Sequence, residues 1–70
     1  MHRQSVISNH LRSVGYDASV KVLEVEFKNG RIFHFMKVPQ NEFDALMSAD
    51  SHGSYLNDHI KSTFSYRELA

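Results

Sequence analysis

The chain has no cysteine, a single proline and only three glycines in 70 residues. Without cysteine it can build neither a disulfide framework nor a thiolate zinc site, and it shows no sign of an oxidising compartment. A chain this short forms one small core, so its stability has to come from packing, alone or helped by self-association. Long apolar runs are missing as well. The N-terminal pair Val6-Ile7 is too brief for a signal-peptide core or a membrane span, so the expectation is one soluble, cytoplasmic domain over residues 1–70, ordered from about residue 8 to residue 66. Net charge is also lacking, because eight basic and eight acidic side chains cancel. No overall field steers the chain to nucleic acid or to an anionic membrane, and any such binding has to be local. Five histidines make the chain cationic only below about pH 6.5.

Residues 1–10 are polar and without period, and are expected to be loose apart from Val6 or Ile7 folding back. Arg12, Val14 and Tyr16 alternate with Ser13 and Gly15 in a first strand, Leu11 to Tyr16. Leu11 is out of phase with Val14, which predicts a bulge near Gly15 or an irregular start. Asp17-Ala18-Ser19 reads as a turn. From Val22 to Phe27, Leu23, Val25 and Phe27 alternate with Glu24 and Glu26, the pattern of a half-buried strand. Asn29-Gly30 then turns the chain into a third strand, Ile32 to Val38.

The register of this hairpin decides where its aromatics go. A two-residue loop sets Phe27 against Ile32 and leaves Phe33 and Phe35 on the outer face. A three-residue loop, Lys28-Asn29-Gly30, sets Phe27 against Arg31 and places Phe33 and Phe35 opposite Val25 and Leu23 in the core. With five Phe and three Tyr in all, leaving two Phe in water is costly, which favours the second register.

Pro39 ends the strand and suits a helix start. Phe43, Leu46 and Met47 follow at helical spacing, with Glu42 and Asp44 in the first turn, predicting a helix from about Gln40 to Ala49. Asp50 or Ser51 caps a second helix carrying the stripe Tyr55, Leu56, His59 and Ile60. Phe64 and Tyr66 are expected to fold back as a short tail, with Arg67 to Ala70 frayed. The architecture predicted from this pattern is α+β: a three-stranded antiparallel meander followed by two short helices on one face, in the order β-β-β-α-α. Its core holds Leu23, Val25, Phe27, Phe33, Phe35, Phe43, Leu46, Leu56 and Ile60.

Catalytic and metal chemistry find little footing in this pattern. His52 and His59 lie two helical turns apart, about 10 Å along the axis, too far to share one ion. His59 is therefore read as packed and His52 as solvated. The contiguous side chains of Asp50-Ser51-His52 diverge at a helix start and make no relay, and the glycines at 15, 30 and 53 punctuate separate elements instead of forming a phosphate loop. No cofactor is implied. Charge and aromatic rings do coincide around the third strand: Arg31 and Lys37 flank it, Lys61 and Arg67 follow the second helix, and with Phe33 and Phe35 they suggest a surface of charge plus stacking rings for RNA. Glu24 and Glu26 on the neighbouring strand oppose it, since cross-strand ion pairs neutralise such a patch.

The run Val14-Gly15-Tyr16-Asp17, then Leu23-x-Val25-x-Phe27-x-x-Gly30, Phe33-x-Phe35, Val38-Pro39, Phe43 with Leu46, and Ala49-x-Ser51-x-Gly53-x-x-Leu56-Asn57-x-x-Ile60 resembles the KTSC domain. That family is named for a segment at the C-terminus of some lysyl-tRNA synthetases and also occurs as a free-standing small bacterial protein, the form this chain resembles. The resemblance covers about residues 5–66 and implies no catalytic residues; its synthetase context suggests RNA as a partner. The family's Tyr-x-Tyr motif aligns with Phe33-His34-Phe35, so both phenolic hydroxyls are missing while the rings remain available for packing or stacking. The resulting expectation is a non-catalytic module that contacts RNA or an RNA-handling partner through Arg31, Phe33, Phe35, Lys37 and Lys61. Its rival is a protein-interaction or structural module that pairs a sheet edge with another chain.

Overall fold

The computed structural model of the chain describes residues 2–69; Met1 and Ala70, which the sequence places in loose ends, lie outside them. The element order is β1 (Arg3–Ser5), β2 (Leu11–Asp17), β3 (Val22–Phe27), β4 (Ile32–Phe35), α1 (Gln40–Ser48), α2 (His52–Tyr55), a π-helical segment that continues α2 (Leu56–Lys61), and β5 (Tyr66–Leu69). All neighbouring strands are antiparallel, and the sheet order is β1-β2-β3-β4-β5. The class is α+β as expected, but the sheet has five strands where three were predicted. The additional pair, β1 and β5, lies in segments expected to be loose or frayed. Edge strands bury little of either face, so their sequences carry polar residues without a clean period of two.

In the β3-β4 hairpin the Phe27 amide donates to the Arg31 carbonyl over 2.8 Å, and the Gly30 amide donates to Phe27 over 2.9 Å. Gly30 sits at φ +91°, the left-handed position that a three-residue loop requires of its last residue. Leu23 faces Phe35 and Val25 faces Phe33, so the register that turns the two rings inward is the one formed. In β2 the pairing shifts between Leu11 and Ser13, leaving Arg12 as the extra residue. That irregular start explains how Leu11 and Val14, out of phase in sequence, both reach the interior.

β4 ends at Phe35, three residues earlier than predicted. Lys37 adopts φ +58° and turns the chain so that the Val38 amide reaches the Lys21 carbonyl at 2.9 Å. The Tyr16 hydroxyl donates to the Val38 carbonyl, and the Tyr16 ring stacks on Phe43 of α1 with centroids 5.0 Å apart. Together these contacts fix the first helix against β2.

The core consists of Leu11, Val14, Leu23, Val25, Phe35, Val38, Leu46, Leu56 and Ile60, all essentially removed from water. Burying each such side chain contributes about 1.5–3 kcal/mol. Leu11, Val14 and Val38 were not predicted to be there, whereas Phe27, Phe33 and Phe43 are only half-buried and pack against the cluster from outside. Both helices cover the same sheet face, with Leu46 from α1 and Leu56 and Ile60 from the π-helical segment inserted into the core. Ser51 caps α2, its hydroxyl accepting from the Ser54 amide at 3.2 Å. The two histidines exchange their predicted places. His52 is half-buried with Nδ1 2.8 Å from the Leu46 carbonyl, because it lies at the junction of the helices, and His59 is exposed beside the Tyr55 ring, because the wider π turn rotates it outward.

Candidate functional site

Pairing places alternate residues of β3, β4 and β5 on opposite sheet faces. Phe33 and Phe35 point to the helix side, as do their β5 partners Glu68 and Tyr66. Near the β5 edge the helices no longer cover this face completely. An open cleft of about 180 Å³ remains, lined by Phe27, Phe33, Phe35 and Tyr66 with Asn29, Arg31 and Lys61 at its rim. The rings hold one another. Phe27 meets Phe33 edge-on with centroids 5.5 Å apart, and Tyr66 lies 5.9 Å from Phe33 and 5.3 Å from Phe35. The two edge-on contacts of Phe33, with Phe27 and with Tyr66, match the positive edge of one ring to the negative face of another. Phe35 is buried and forms the floor, Phe33 is half-buried, and Tyr66 presents 44 % of its surface to solvent.

Two cations stand over this aromatic platform. The Arg31 guanidinium carbon is 5.4 Å from the centre of Phe33, and the Lys61 ammonium is 5.7 Å from the centre of Tyr66, both within the range of cation–π attraction. Lys61 ends the π-helical segment, a rare geometry that often marks functional positions; here the wide turn delivers Lys61 to the cleft rim while Ile60 stays buried. Arg31 also forms a two-pronged pair with Glu68.

Four of the five residues predicted for RNA contact, Arg31, Phe33, Phe35 and Lys61, thus line one cleft. Lys37 does not: it follows the opposite end of β4 from Arg31, in the turn that meets Lys21, because the strand stops at Phe35. Arg67 is excluded too, since it pairs with His34 and so faces away from the helices. Tyr66, Phe27 and Asn29 were missed. The signal for Tyr66 was its place in a strand that would extend the sheet, and no period in that short segment announced one.

The opposite sheet face is a charge network. Glu24 accepts from Arg3 Nη1 at 2.8 Å and from His34 Nε2 at 2.7 Å. Burial alone would raise its pKa, but these bonds and the adjoining charges hold it below the ordinary glutamate range. Glu26 accepts from Ser13 at 3.0 Å and lies 3.6 Å from Arg3. The acidic residues suspected of neutralising the aromatic patch therefore serve the other face. Among the described residues no group of three or more His, Asp or Glu side chains is placed to hold a metal ion, and no helix is long and apolar enough to cross a membrane.

The KTSC domain pattern matches residues 7–64. The chain belongs to the KTSC domain family. Its fold superimposes on the crystal structure of a KTSC domain protein from Yersinia pestis with a TM-score of 0.91 and 33 % identity, covering 99 % of this chain and 97 % of the other. An uncharacterised protein of Stutzerimonas stutzeri is 41 % identical over 61 residues, covering 87 % of this chain and 86 % of that protein. The lysine–tRNA ligase of a Nostoc species is 32 % identical over 60 residues, which is 86 % of this KTSC domain but 11 % of the ligase.

Proposed function

We propose that this KTSC domain is a non-catalytic module that contacts RNA, holding one unpaired base on the Phe33–Tyr66 platform while Arg31 and Lys61 face the backbone phosphates. The observation that carries this reading is the cleft itself: aromatic rings lining an open concavity, and two cations at its rim. Sequence-tolerant binding of single strands uses this combination, with stacking contributing about 1–3 kcal/mol per base. At about 180 Å³ the cleft is smaller than the ~300 Å³ at which pockets for drug-sized ligands begin, a size that suits a single base. The likeness to lysine–tRNA ligases supports RNA as the partner class. Replacement of the family's two tyrosines by Phe33 and Phe35 keeps the ring faces that stacking needs.

With two cations at the site, the slope of log affinity against log salt is no steeper than about −1.4 for a single strand. Binding is therefore weak near physiological salt, and an attached or neighbouring RNA-handling protein supplies the remaining affinity. Titrating labelled tRNA and a random single strand at two salt concentrations tests the proposal. Salt-sensitive binding that fails in Tyr66→Ala and Lys61→Gln variants supports it. Absence of binding at low salt removes it and leaves pairing of a sheet edge with a protein partner as the reading to pursue.

A further inference from the structure

Arg31 does not face the cleft as an unengaged cation. Its Nε donates to Glu68 Oε2 over 2.9 Å and its Nη2 to Oε1 over 2.6 Å. Glu68 is paired with Phe33 across β4 and β5, so its carboxylate rises on the ring's own side of the sheet. The planar arginine fork matches two oxygens of a carboxylate or a phosphate equally well, and here the chain supplies the anion itself. Hydrogen bonding from Arg31 holds Glu68 below the usual carboxylate range, so it stays ionised at neutral pH. Lys61 is different: among the described residues it forms no ion pair.

We propose that Glu68 is a specificity-determining residue of the cleft, occupying the arginine fork that a nucleotide phosphate takes over when the base stacks. This rests on the cleft being an RNA contact. Exchanging one anion for another at Arg31 gains little, so a phosphate succeeds there only when stacking on the platform accompanies it. Polyanions without an accessible ring are rejected. Glu68 thereby converts a site of charge plus rings into one that answers to an unpaired base.

The exchange leaves a signature in the salt dependence. In the unaltered protein, the phosphate bound at Arg31 displaces a carboxylate, and the net ion release comes from Lys61. Without the carboxylate, Arg31 adds its own release, steepening the slope by about 0.7 for a single strand. The experiment titrates a labelled five-nucleotide RNA single strand against the unaltered protein, Glu68→Gln, and Glu68→Gln combined with Arg31→Gln. Glu68→Gln should bind several-fold tighter at low salt with the steeper slope, and the double variant should lose the gain. Both altered residues are exposed, and circular dichroism is the check that the variants fold. The Arg31 Nε–H resonance of the unaltered protein gives an independent reading and should move as the strand binds. Equal slopes, or a fixed resonance despite binding, would overturn the role of Glu68 and leave the RNA reading standing. Failure of every variant to bind at low salt would overturn both.

Discussion

Phe27 donates its amide hydrogen to the Arg31 carbonyl over 2.8 Å, and that bond places Phe33 and Phe35 on the helix side of the sheet. Were the loop one residue shorter, both rings would join Glu24 and Glu26 on the outer face, because a one-residue slip inverts every side chain of a strand. The bond thus links a turn at the surface to the formation of the cleft.

The two rings should differ in their structural weight. Phe35 is buried at 1 % exposure, so Phe35→Ala is expected to cost about 3–5 kcal/mol, enough to unfold a domain of this size. Phe33 is half-buried at the cleft, and Phe33→Ala should cost about half as much while leaving a folded protein. Urea unfolding of the two variants checks this; equal costs would contradict the cleft geometry.

Acid stability should depend on Glu24. Its pKa is lowered in the folded protein, so the folded state binds its proton less readily than the unfolded chain does. Its contribution is fully present above the ordinary value of 4.5 and is lost as pH falls through the lower, folded value. The stability difference between the unaltered protein and Glu24→Gln should shrink as pH drops from about 6 to about 3, measured by denaturant unfolding across that window. A constant difference would show that Glu24 gains nothing from Arg3 and His34.

Gly15 offers a test of the edge strand. A β carbon added there would lie 2.6 Å from the His2 carbonyl and 3.0 Å from the Arg3 side chain. Gly15→Ala should therefore push β1 from β2 at a cost of about 1–3 kcal/mol, with β1 losing amide protection while the β3-β4 hairpin retains it. Hydrogen exchange resolved by residue distinguishes this from general destabilisation.

Chelators should leave the melting temperature unchanged. The described residues contain no metal-binding group, and a structural metal would carry a large share of the folding free energy. A fall in melting temperature on chelation would contradict this.

The hairpin was legible because period two, a positive-φ turn pair and the cost of exposed phenylalanine all favour one register. The helices were legible from the spacing of Phe43, Leu46, Leu56 and Ile60. β1 was not, since Arg3-Gln4-Ser5 holds no apolar residue to announce a buried face. In β5, Tyr66 shares a face with Glu68 and Leu69 shares one with Arg67, so neither side reads as apolar. The π turn was hidden because Leu56 and Ile60 satisfy ordinary helical spacing just as well. Lys37 shared a strand face with Arg31 only while β4 was read to Val38, and its left-handed backbone is not written in a lysine. The cation pair and two of the four rings, Phe33 and Phe35, were thus readable as site residues, but the cleft needed the strand that the sequence conceals.

Strand order gives the sheet two unlike margins. β1 borders one, and β5 with the cleft borders the other, four interstrand steps or about 19 Å away. A protein joined ahead of β1 would stand at the far margin from the rings. If the cleft holds RNA as proposed, such a protein would raise the effective concentration of a weak contact without shading it, and the linker would need only to span the width of the sheet for both bodies to reach the same strand.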